Sequence, residues 1–108
     1  MLRVAVPLFG DQVAPRFGFS ERFLIADIEN GLVVREEQHE ITGPGWRERI
    51  VELGRMGVKV ILSGGYSLQS LPFAESKGIH VIDDIWGDAS HAIELFARET
   101  RWLKRTAD

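Results

Sequence analysis

The 108-residue sequence predicts an α/β fold in which helices pack on the faces of a mixed, five-stranded sheet. Short β-branched runs and segments of helical period occur in the order β, β-hairpin, α, β, α, β, α. Two β–α–β units require right-handed crossovers and parallel strands, whereas the hairpin adds antiparallel strands on one side. This is the layout of a ribonuclease-H-like fold, and we expect one domain over residues 1–108.

The first strand is predicted over the short apolar run Leu2–Val6. Pro7 is expected to end this strand, because proline has no backbone N–H to donate to a neighbouring strand. The following segment, Leu8–Glu21, shows no periodicity and is long for a connection in a small domain. Such a length favours a functional loop or a partly ordered one.

A β-hairpin is predicted from two β-rich segments, Arg22–Ile28 and Leu32–Ile41, which flank Asn30 and Gly31. Asn-Gly suits a type I′ turn, which needs a positive φ at both central residues. The first helix follows over residues 46–56, where Trp46 and other apolar side chains recur at helical spacing with Arg47, Glu48, Arg49, Glu52 and Arg55 between them.

The second half of the chain contains two further strands, Val58–Leu62 and Ile79–Ile82. The first is almost continuously apolar, which is typical of a central, parallel strand. A helix is predicted between them over about Leu68–Lys77, with a distorted first turn or a start near Ser70, because Pro72 lies inside it. The last helix is predicted over about Asp88–Arg105.

Composition and charge exclude several classes of function. The chain has no cysteine, so disulfides, thiolate metal sites and cysteine nucleophiles are absent. A net charge of −3 argues against a general nucleic-acid-binding role. No apolar run is long enough for a membrane span, and no signal peptide is recognisable. We therefore expect a cytoplasmic protein without nucleic-acid or membrane partners.

The sequence shows no recognisable catalytic or metal-binding motif. His39, His80 and His91 lie in three different elements and lack the spacing of a zinc site. The first strand carries no carboxylate of the kind that ribonuclease-H-like nucleases use to hold two Mg²⁺ ions. Neither a phosphate-binding Gly-Lys-Ser/Thr loop nor a serine triad is present. We expect a protein that is not an enzyme.

A ligand site is predicted where three loops meet beyond the carboxyl ends of the parallel strands: Leu8–Glu21, Ser63–Ser67 and Asp83–Gly87. Glycines in the second loop allow backbone N–H groups to approach an anion, and nearby arginines could donate charged hydrogen bonds. A tight strand-to-helix turn explains the same glycines equally well. The candidate binding residues are Arg16, Arg47, Gly64, Gly65 and Tyr66.

Several segments, in their order and spacing, identify a family resemblance. They include Val4-Ala5-Val6-Pro7, Pro15-Arg16-Phe17-Gly18, Asp27-Ile28-Glu29-Asn30-Gly31, Ser63-Gly64-Gly65 and Gly78-Ile79-His80-Val81. Nearly the whole chain, to about Phe96, resembles the dinitrogenase iron-molybdenum cofactor biosynthesis family. The resemblance implies a non-enzymatic, ribonuclease-H-like protein that binds or carries a metal–sulfur cluster, with a connection to nitrogen fixation.

The chain departs from this family in one segment. Many members have a His- and Gly-rich or Cys-containing stretch after the hairpin, whereas residues 41–47 here contain neither His nor Cys. The resemblance therefore implies an iron-molybdenum or other metal–sulfur cluster that is held non-covalently, without protein ligands to its metal.

The alternative hypothesis is a small regulatory or scaffold module with a vestigial ligand pocket. The last helix ends in four cations, which could contact an acidic protein partner or could simply complement the helix dipole. These residues are Arg98, Arg101, Lys104 and Arg105.

Overall fold

The structure is a computed structural model that describes residues 1–43, 45–65 and 70–107. In these ranges, the strands are β1 (Leu2–Phe9), β2 (Gln12–Val13), β3 (Arg22–Glu29), β4 (Leu32–Glu40), β5 (Val60–Leu62) and β6 (His80–Ile82). The helices are α1 (Trp46–Arg55), α2 (Ser70–Ser76) and α3 (Ala89–Ala107), and Phe17–Phe19 form a 3₁₀ turn.

The strands form one mixed sheet in the order β4-β3-β1-β5-β6, with the short β2 beside the end of β1. Strands β1, β5 and β6 are parallel, and β3 and β4 are antiparallel to their neighbours. The predicted mixed α/β architecture, with the hairpin on one side of the sheet, is confirmed. The predicted number of strands is wrong, because the described residues form six strands rather than five.

The sixth strand arises because Pro7 does not end β1. Strand β1 continues to Phe9, and Pro7 lies opposite Phe23 of β3. The carbonyl oxygen of Pro7 accepts a hydrogen bond from the N–H of Ala14 at 2.8 Å. Because the N and O atoms of one strand residue point to the same side, the missing N–H faces this segment and removes no bond to β3.

The β3–β4 hairpin turns through Asn30 and Gly31, whose φ angles are 54° and 77°. Both angles are positive, as the type I′ turn requires, so the predicted hairpin is confirmed. The pairing register shifts between Asp27 and Ile28, which indicates a β-bulge close to the turn.

Alternate residues of the strands pack into two cores on opposite faces of the sheet. One core contains the even-numbered residues of β1 and β3 and is covered by α3, with Ile93 fully buried. The other contains Ala5, Phe23 and Ile25 and is covered by α1 and α2. The prediction of helices on the sheet faces is therefore confirmed.

The positions of α2 and α3 limit the length of the loops that follow β5 and β6. Helix α2 is described over Ser70–Ser76. Residues 66–69 lie outside the described part of the chain, so the predicted start near Ser70 stays a prediction. Helix α3 begins after Asp88, whose carboxylate accepts a hydrogen bond from the N–H of His91 at 2.9 Å and so caps the helix. None of the helices in the described ranges is long and apolar enough to cross a bilayer.

Candidate functional site

Three loops meet beyond the carboxyl ends of β1, β5 and β6, and their backbones hydrogen-bond to one another. The N–H of Gly64 donates to the carbonyl of Ala14 at 3.3 Å, and the N–H of Ile85 donates to the carbonyl of Ser63 at 3.1 Å. A third bond, of 2.8 Å, links Val13 to Gly87. We call residues 13–20, 63–65 and 83–87 the strand-end loops. The structure thus brings together the three segments that the sequence predicted.

Gly64 and Gly65 are packed against the backbone of the first loop. A Cβ on Gly64 would lie 2.8 Å from the oxygen of Ala14 and 3.0 Å from the Cα of Pro15. A Cβ on Gly65 would lie 2.8 Å from the oxygen of Pro15. A Cβ at either position would require the backbone of the first loop to move, so both positions require glycine. This close packing agrees with the interpretation that the two glycines form a tight turn. Contact of these glycines with a ligand stays a prediction.

Ser63 is a structural residue of this turn, a role that the sequence analysis did not assign to it. Its side chain is fully buried, and its hydroxyl donates to the carbonyl oxygen of Gly65 at 2.6 Å. The same oxygen accepts the N–H of Phe17 at 3.4 Å. The sequence did contain a signal for this role: a serine that directly follows an apolar strand and precedes two glycines. Hydroxyl groups often stabilise such turns.

Arg16 lies in the first strand-end loop, directly before Phe17. Its side chain is exposed and forms no ion pair with any carboxylate of the described residues. Because the backbone N–H of Phe17 donates a hydrogen bond to the carbonyl of Gly65, the backbone of Arg16 lies next to the glycine turn. This positioning agrees with the grouping of Arg16, Gly64 and Gly65 that the sequence suggested.

Arg47 lies on the exposed side of α1 and packs on aromatic rings. Its guanidinium carbon is 5.2 Å from the centre of the Trp46 ring and 5.9 Å from that of Phe73. The two rings meet edge to face at 5.7 Å, and the Lys77 ammonium lies 5.4 Å from the Phe73 ring. Among the described residues, no hydrogen bond joins Arg47 to the strand-end loops. Arg47 is therefore held at the surface between α1 and α2 by cation–π contacts.

The remaining predicted residues fall largely outside the described part of the chain. Tyr66 is not described, and neither are the side chains of Arg101, Lys104 and Arg105 in α3. Arg98 lies on α3 and is exposed. The prediction of a partner surface on the last helix therefore stays a prediction.

Arg49 is the residue at this end of the sheet that sequence reasoning missed. The helical period placed Arg49 among the polar residues between the apolar positions of α1, yet only 7% of its surface is exposed. Its guanidinium donates to the carbonyl of Gly18 at 2.6 Å and to that of Gly43 at 3.3 Å. Its Nε is buried without a hydrogen-bond partner among the described residues. No carboxylate in those residues pairs with it.

Asp84 and Asp88, in and directly after the third strand-end loop, have hydrogen-bond partners. The carboxylate of Asp84 accepts the indole N–H of Trp86 at 2.7 Å. The carboxylate of Asp88 caps α3 through the N–H of His91. Asp84 also has a φ of 61°, in the left-handed region of backbone conformations.

The opposite end of the sheet contains an arginine that is fully paired. Arg3 Nε and Nη2 donate to the two carboxylate oxygens of Asp27 at 2.7 and 3.1 Å. Its Nη1 donates to the carbonyl of Met56 at 2.5 Å. The hydrogen bonds from Arg3 hold the pKa of the buried Asp27 carboxyl below its usual value.

A cleft of about 260 Å³ adjoins this ion pair and is also lined by Arg35, Glu37 and His39. A hydrogen bond from Arg35 lowers the pKa of Glu37. Neither here nor elsewhere in the described residues do three or more His, Asp or Glu side chains gather closely enough to hold a metal ion.

The chain belongs to the dinitrogenase iron-molybdenum cofactor family, whose sequence profile matches residues 1–99. Membership associates it with processes that involve the iron-molybdenum cofactor. Protein MJ0580 of Methanocaldococcus jannaschii is 26% identical over 102 residues, which cover 89% of this chain and 86% of that protein.

Solved structures share the fold over most of their length. The crystal structure of PH0822 superposes with a TM-score of 0.83 at 28% identity, covering 89% of this chain and 88% of the other. The NMR structure of TM1290 from Thermotoga, for which a NifB assignment has been suggested, gives a TM-score of 0.71 at 28% identity. That alignment covers 94% of this chain and 90% of TM1290.

Proposed function

We propose that the protein is a non-catalytic carrier that holds an anionic metal–sulfur cluster, of the iron-molybdenum or another type, at the strand-end loops. The cluster is the cargo of the protein and is held without protein ligands to its metal. Gly64 and Gly65 pack the loops together, and Arg16 supplies a positive charge. Tyr66, which directly follows the glycines in the sequence, is a further candidate binding residue. Arg47 supplies a second positive charge from the start of α1.

One observation carries this proposal: the backbone of Arg16 lies beside the glycine turn at the carboxyl ends of the parallel strands, and its exposed side chain has no carboxylate partner among the described residues. Open α/β sheets bind their ligands at this end, because the loops there diverge and leave a crevice. An arginine without a carboxylate partner is free to donate several hydrogen bonds to an anion. Membership of the iron-molybdenum cofactor family supports a metal–sulfur anion as the ligand.

The non-catalytic part of this proposal is supported by the sequence, which contains no recognisable catalytic or metal-binding motif. A carrier needs charge complementarity and a crevice, whereas a nuclease or hydrolase needs a positioned base, a nucleophile or metal-binding carboxylates. We also propose that the fold is of the ribonuclease-H-like class. The proposed location is the cytoplasm, and the proposed setting is nitrogen fixation.

The proposal is tested by anaerobic titration of the protein with tetrathiomolybdate, a dianionic molybdenum sulfide, followed by its visible spectrum and by calorimetry. We expect saturable binding, and we expect Arg16→Ala to weaken it by roughly threefold to tenfold, the effect of one partly solvated charged hydrogen bond. Arg55→Ala is the matched control, since Arg55 is exposed at the far end of α1 and pairs with Glu52.

Two results would contradict the proposal. The wild-type protein could fail to bind tetrathiomolybdate, and metal and sulfide analysis of protein purified anaerobically from its host could also find none. Alternatively, Arg16→Ala and Arg55→Ala could weaken binding equally, which would show that only the overall charge of the protein matters.

A further inference from the structure

Strand β4 forms one edge of the sheet, and half of its backbone groups point away from the molecule. The N–H of Ile41 donates to the carbonyl of Glu21 at 2.7 Å, on the side of β3. The N–H and C=O of one strand residue point to the same side, and this side alternates along the strand. Those of Glu36, Gln38 and Glu40 therefore point outward. In the described ranges, no backbone hydrogen bond from another segment reaches them.

An acidic cavity adjoins one end of this outward edge. It has a volume of about 330 Å³ and is lined by Asp11, Glu36 and Asp88, and no described lysine, arginine or histidine lines it. The hydroxyl of Ser90 donates to Glu36, and the backbone N–H of His91 donates to Asp88. Both donors are uncharged groups. The negative charges of this cavity therefore lack a counter-charge among the described residues.

A larger groove, of about 670 Å³, adjoins the other end of the edge and is lined by Glu40, Glu48 and Glu52. Arg55 lines it too and lies 3.6 Å from Glu52. Glu40 and Glu48 form no ion pair within the described ranges. Met56 and other apolar side chains complete the wall. Such a groove suits a side chain with an aliphatic stem and a positive end, as in lysine and arginine.

A second copy of the chain does not complement this edge. Antiparallel pairing that bonds all the outward groups would place Gln38 opposite Gln38 of the second copy and Glu36 opposite Glu40 twice. Like charges directly opposite each other on neighbouring strands are destabilising. Charged side chains commonly protect an exposed edge from pairing with itself in this way. A strand with cations at the corresponding positions would instead complement both the backbone and the carboxylates.

We propose that β4 binds an extended, basic segment of another protein as an additional strand. The backbone of this segment bonds to the outward groups of Glu36, Gln38 and Glu40. Glu36 and Glu40 are about 13 Å apart along the strand, so two lysines or arginines four residues apart in the segment face both carboxylates. In this mode of recognition, backbone bonds supply affinity and alternate side chains supply specificity. The inference does not rest on the proposed function, because β4 lies at the edge of the sheet away from β5 and β6.

The first test compares Gln38→Pro with Gln38→Thr in titrations with a fluorescent nine-residue peptide, followed by anisotropy. The peptide consists of threonine and valine with two lysines four residues apart. Proline removes the central outward N–H and leaves the bonds to β3 in place, whereas threonine keeps this N–H. We expect saturable binding to the wild type, a loss of affinity of roughly tenfold or more in Gln38→Pro, and no measurable change in Gln38→Thr.

The second test addresses the charges. It uses a peptide in which glutamine replaces both lysines, and the variants Glu36→Gln and Glu40→Gln. We expect the glutamine peptide to bind the wild type roughly tenfold more weakly, and each variant to bind the lysine peptide roughly threefold more weakly. Glu29→Gln is the matched control, because Glu29 is an exposed residue of β3 without an ion pair in the described ranges.

The third test uses the wild-type protein alone, so it holds even if Gln38→Pro does not fold. Amide hydrogen exchange is followed residue by residue with and without saturating lysine peptide. We expect slower exchange at Glu36, Gln38 and Glu40, and unchanged exchange at Glu37 and His39, whose amides point to β3. Protection of alternate residues distinguishes an added strand from a general attraction between charges.

Several results would overturn the inference: no saturable binding, equal binding by Gln38→Pro and Gln38→Thr, equal affinity for the two peptides, or protection without alternation. A dimer in analytical ultracentrifugation that Gln38→Pro dissociates would identify a second copy as the occupant and would also overturn it. If the lysine peptide binds as expected while tetrathiomolybdate does not bind, the edge site stands and the proposed function falls. If only tetrathiomolybdate binds, the proposed function stands and the edge site falls.

Discussion

Two arginines at opposite ends of the same sheet have different environments. Arg3, at the amino end of β1, donates to both oxygens of Asp27 and to the carbonyl of Met56. Arg49, near the carboxyl ends of the parallel strands, donates to two carbonyls and has no carboxylate partner among the described residues. Arg49 is also the more buried of the two.

At the Arg3 end of the sheet, the buried charge is paired with a carboxylate. At the Arg49 end, the buried charge has no carboxylate partner among the described residues. The Arg3–Asp27 pair satisfies its own charges. A buried donor without a partner, such as Nε of Arg49, costs roughly 1–3 kcal/mol. Among the described residues, the strand-end loops are therefore packed against a buried donor that lacks a partner.

The largest effect is expected from Gly64→Val, which tests whether the strand-end loops depend on close backbone packing. The new side chain would collide with the backbone of Ala14 and Pro15. We expect the free energy of unfolding, measured by urea denaturation, to fall by about 3 kcal/mol. Gly54→Ala is the control, because a Cβ there would have its nearest neighbour at 3.9 Å.

The control should raise the free energy of unfolding by about 0.5 kcal/mol, because alanine is the better helix former. Equal stability of Gly64→Val and the wild type would show that the strand-end loops can move apart. It would also remove the structural reason for glycine at this position.

An intermediate effect is expected from Asp27→Asn, which unbalances the paired end of the sheet. We expect a loss of about 2 kcal/mol at pH 7, because a buried charged hydrogen-bond pair is broken. The folded-state pKa of Asp27 is lowered, so its stabilisation is present above the ordinary carboxyl pKa and is lost as the pH falls through the folded value. The wild type should therefore lose more stability than the variant as the pH falls below about 4.

Urea denaturation at pH 7 and at successively lower pH values measures this difference. If the two proteins lost stability in parallel as the pH fell, Asp27 would not be the carboxylate that balances Arg3. The contrast between the two ends of the sheet would then lose its physical basis.

The smallest effect is expected from Glu37→Gln, near the same cleft. Arg35 lowers the pKa of Glu37, so the sign of the pH dependence is the same as for Asp27. Both partners are exposed, however, and solvent screens the pair. We expect no measurable shift of the urea midpoint at pH 7 and little change in acid. A loss as large as that of Asp27→Asn would show that the whole cleft, rather than one buried pair, balances this end.

Local signals in the sequence were sufficient for much of the fold. Asn30-Gly31 predicted the hairpin because few residue pairs adopt two positive φ angles. Pro72 predicted a delayed or distorted first turn of α2, because proline is tolerated only in the first turn of a helix, and this stays a prediction since residues 66–69 lie outside the described range. The same kind of reasoning failed at Pro7, since the direction in which its missing N–H points depends on the neighbouring segments.

The sequence by itself determined the order of the helices and of every strand except β2, the parallel and antiparallel parts of the main sheet, and the three segments that meet at the candidate site. Each of these follows from short-range patterns or from the handedness of the chain. Only the tertiary structure decided which arginine of α1 is buried. Arg47 and Arg49 both belong to the polar positions of the helical period, but the loops of Gly18 and Gly43 close over Arg49 alone. Periodicity describes one helix, whereas burial depends on segments that are distant in the chain.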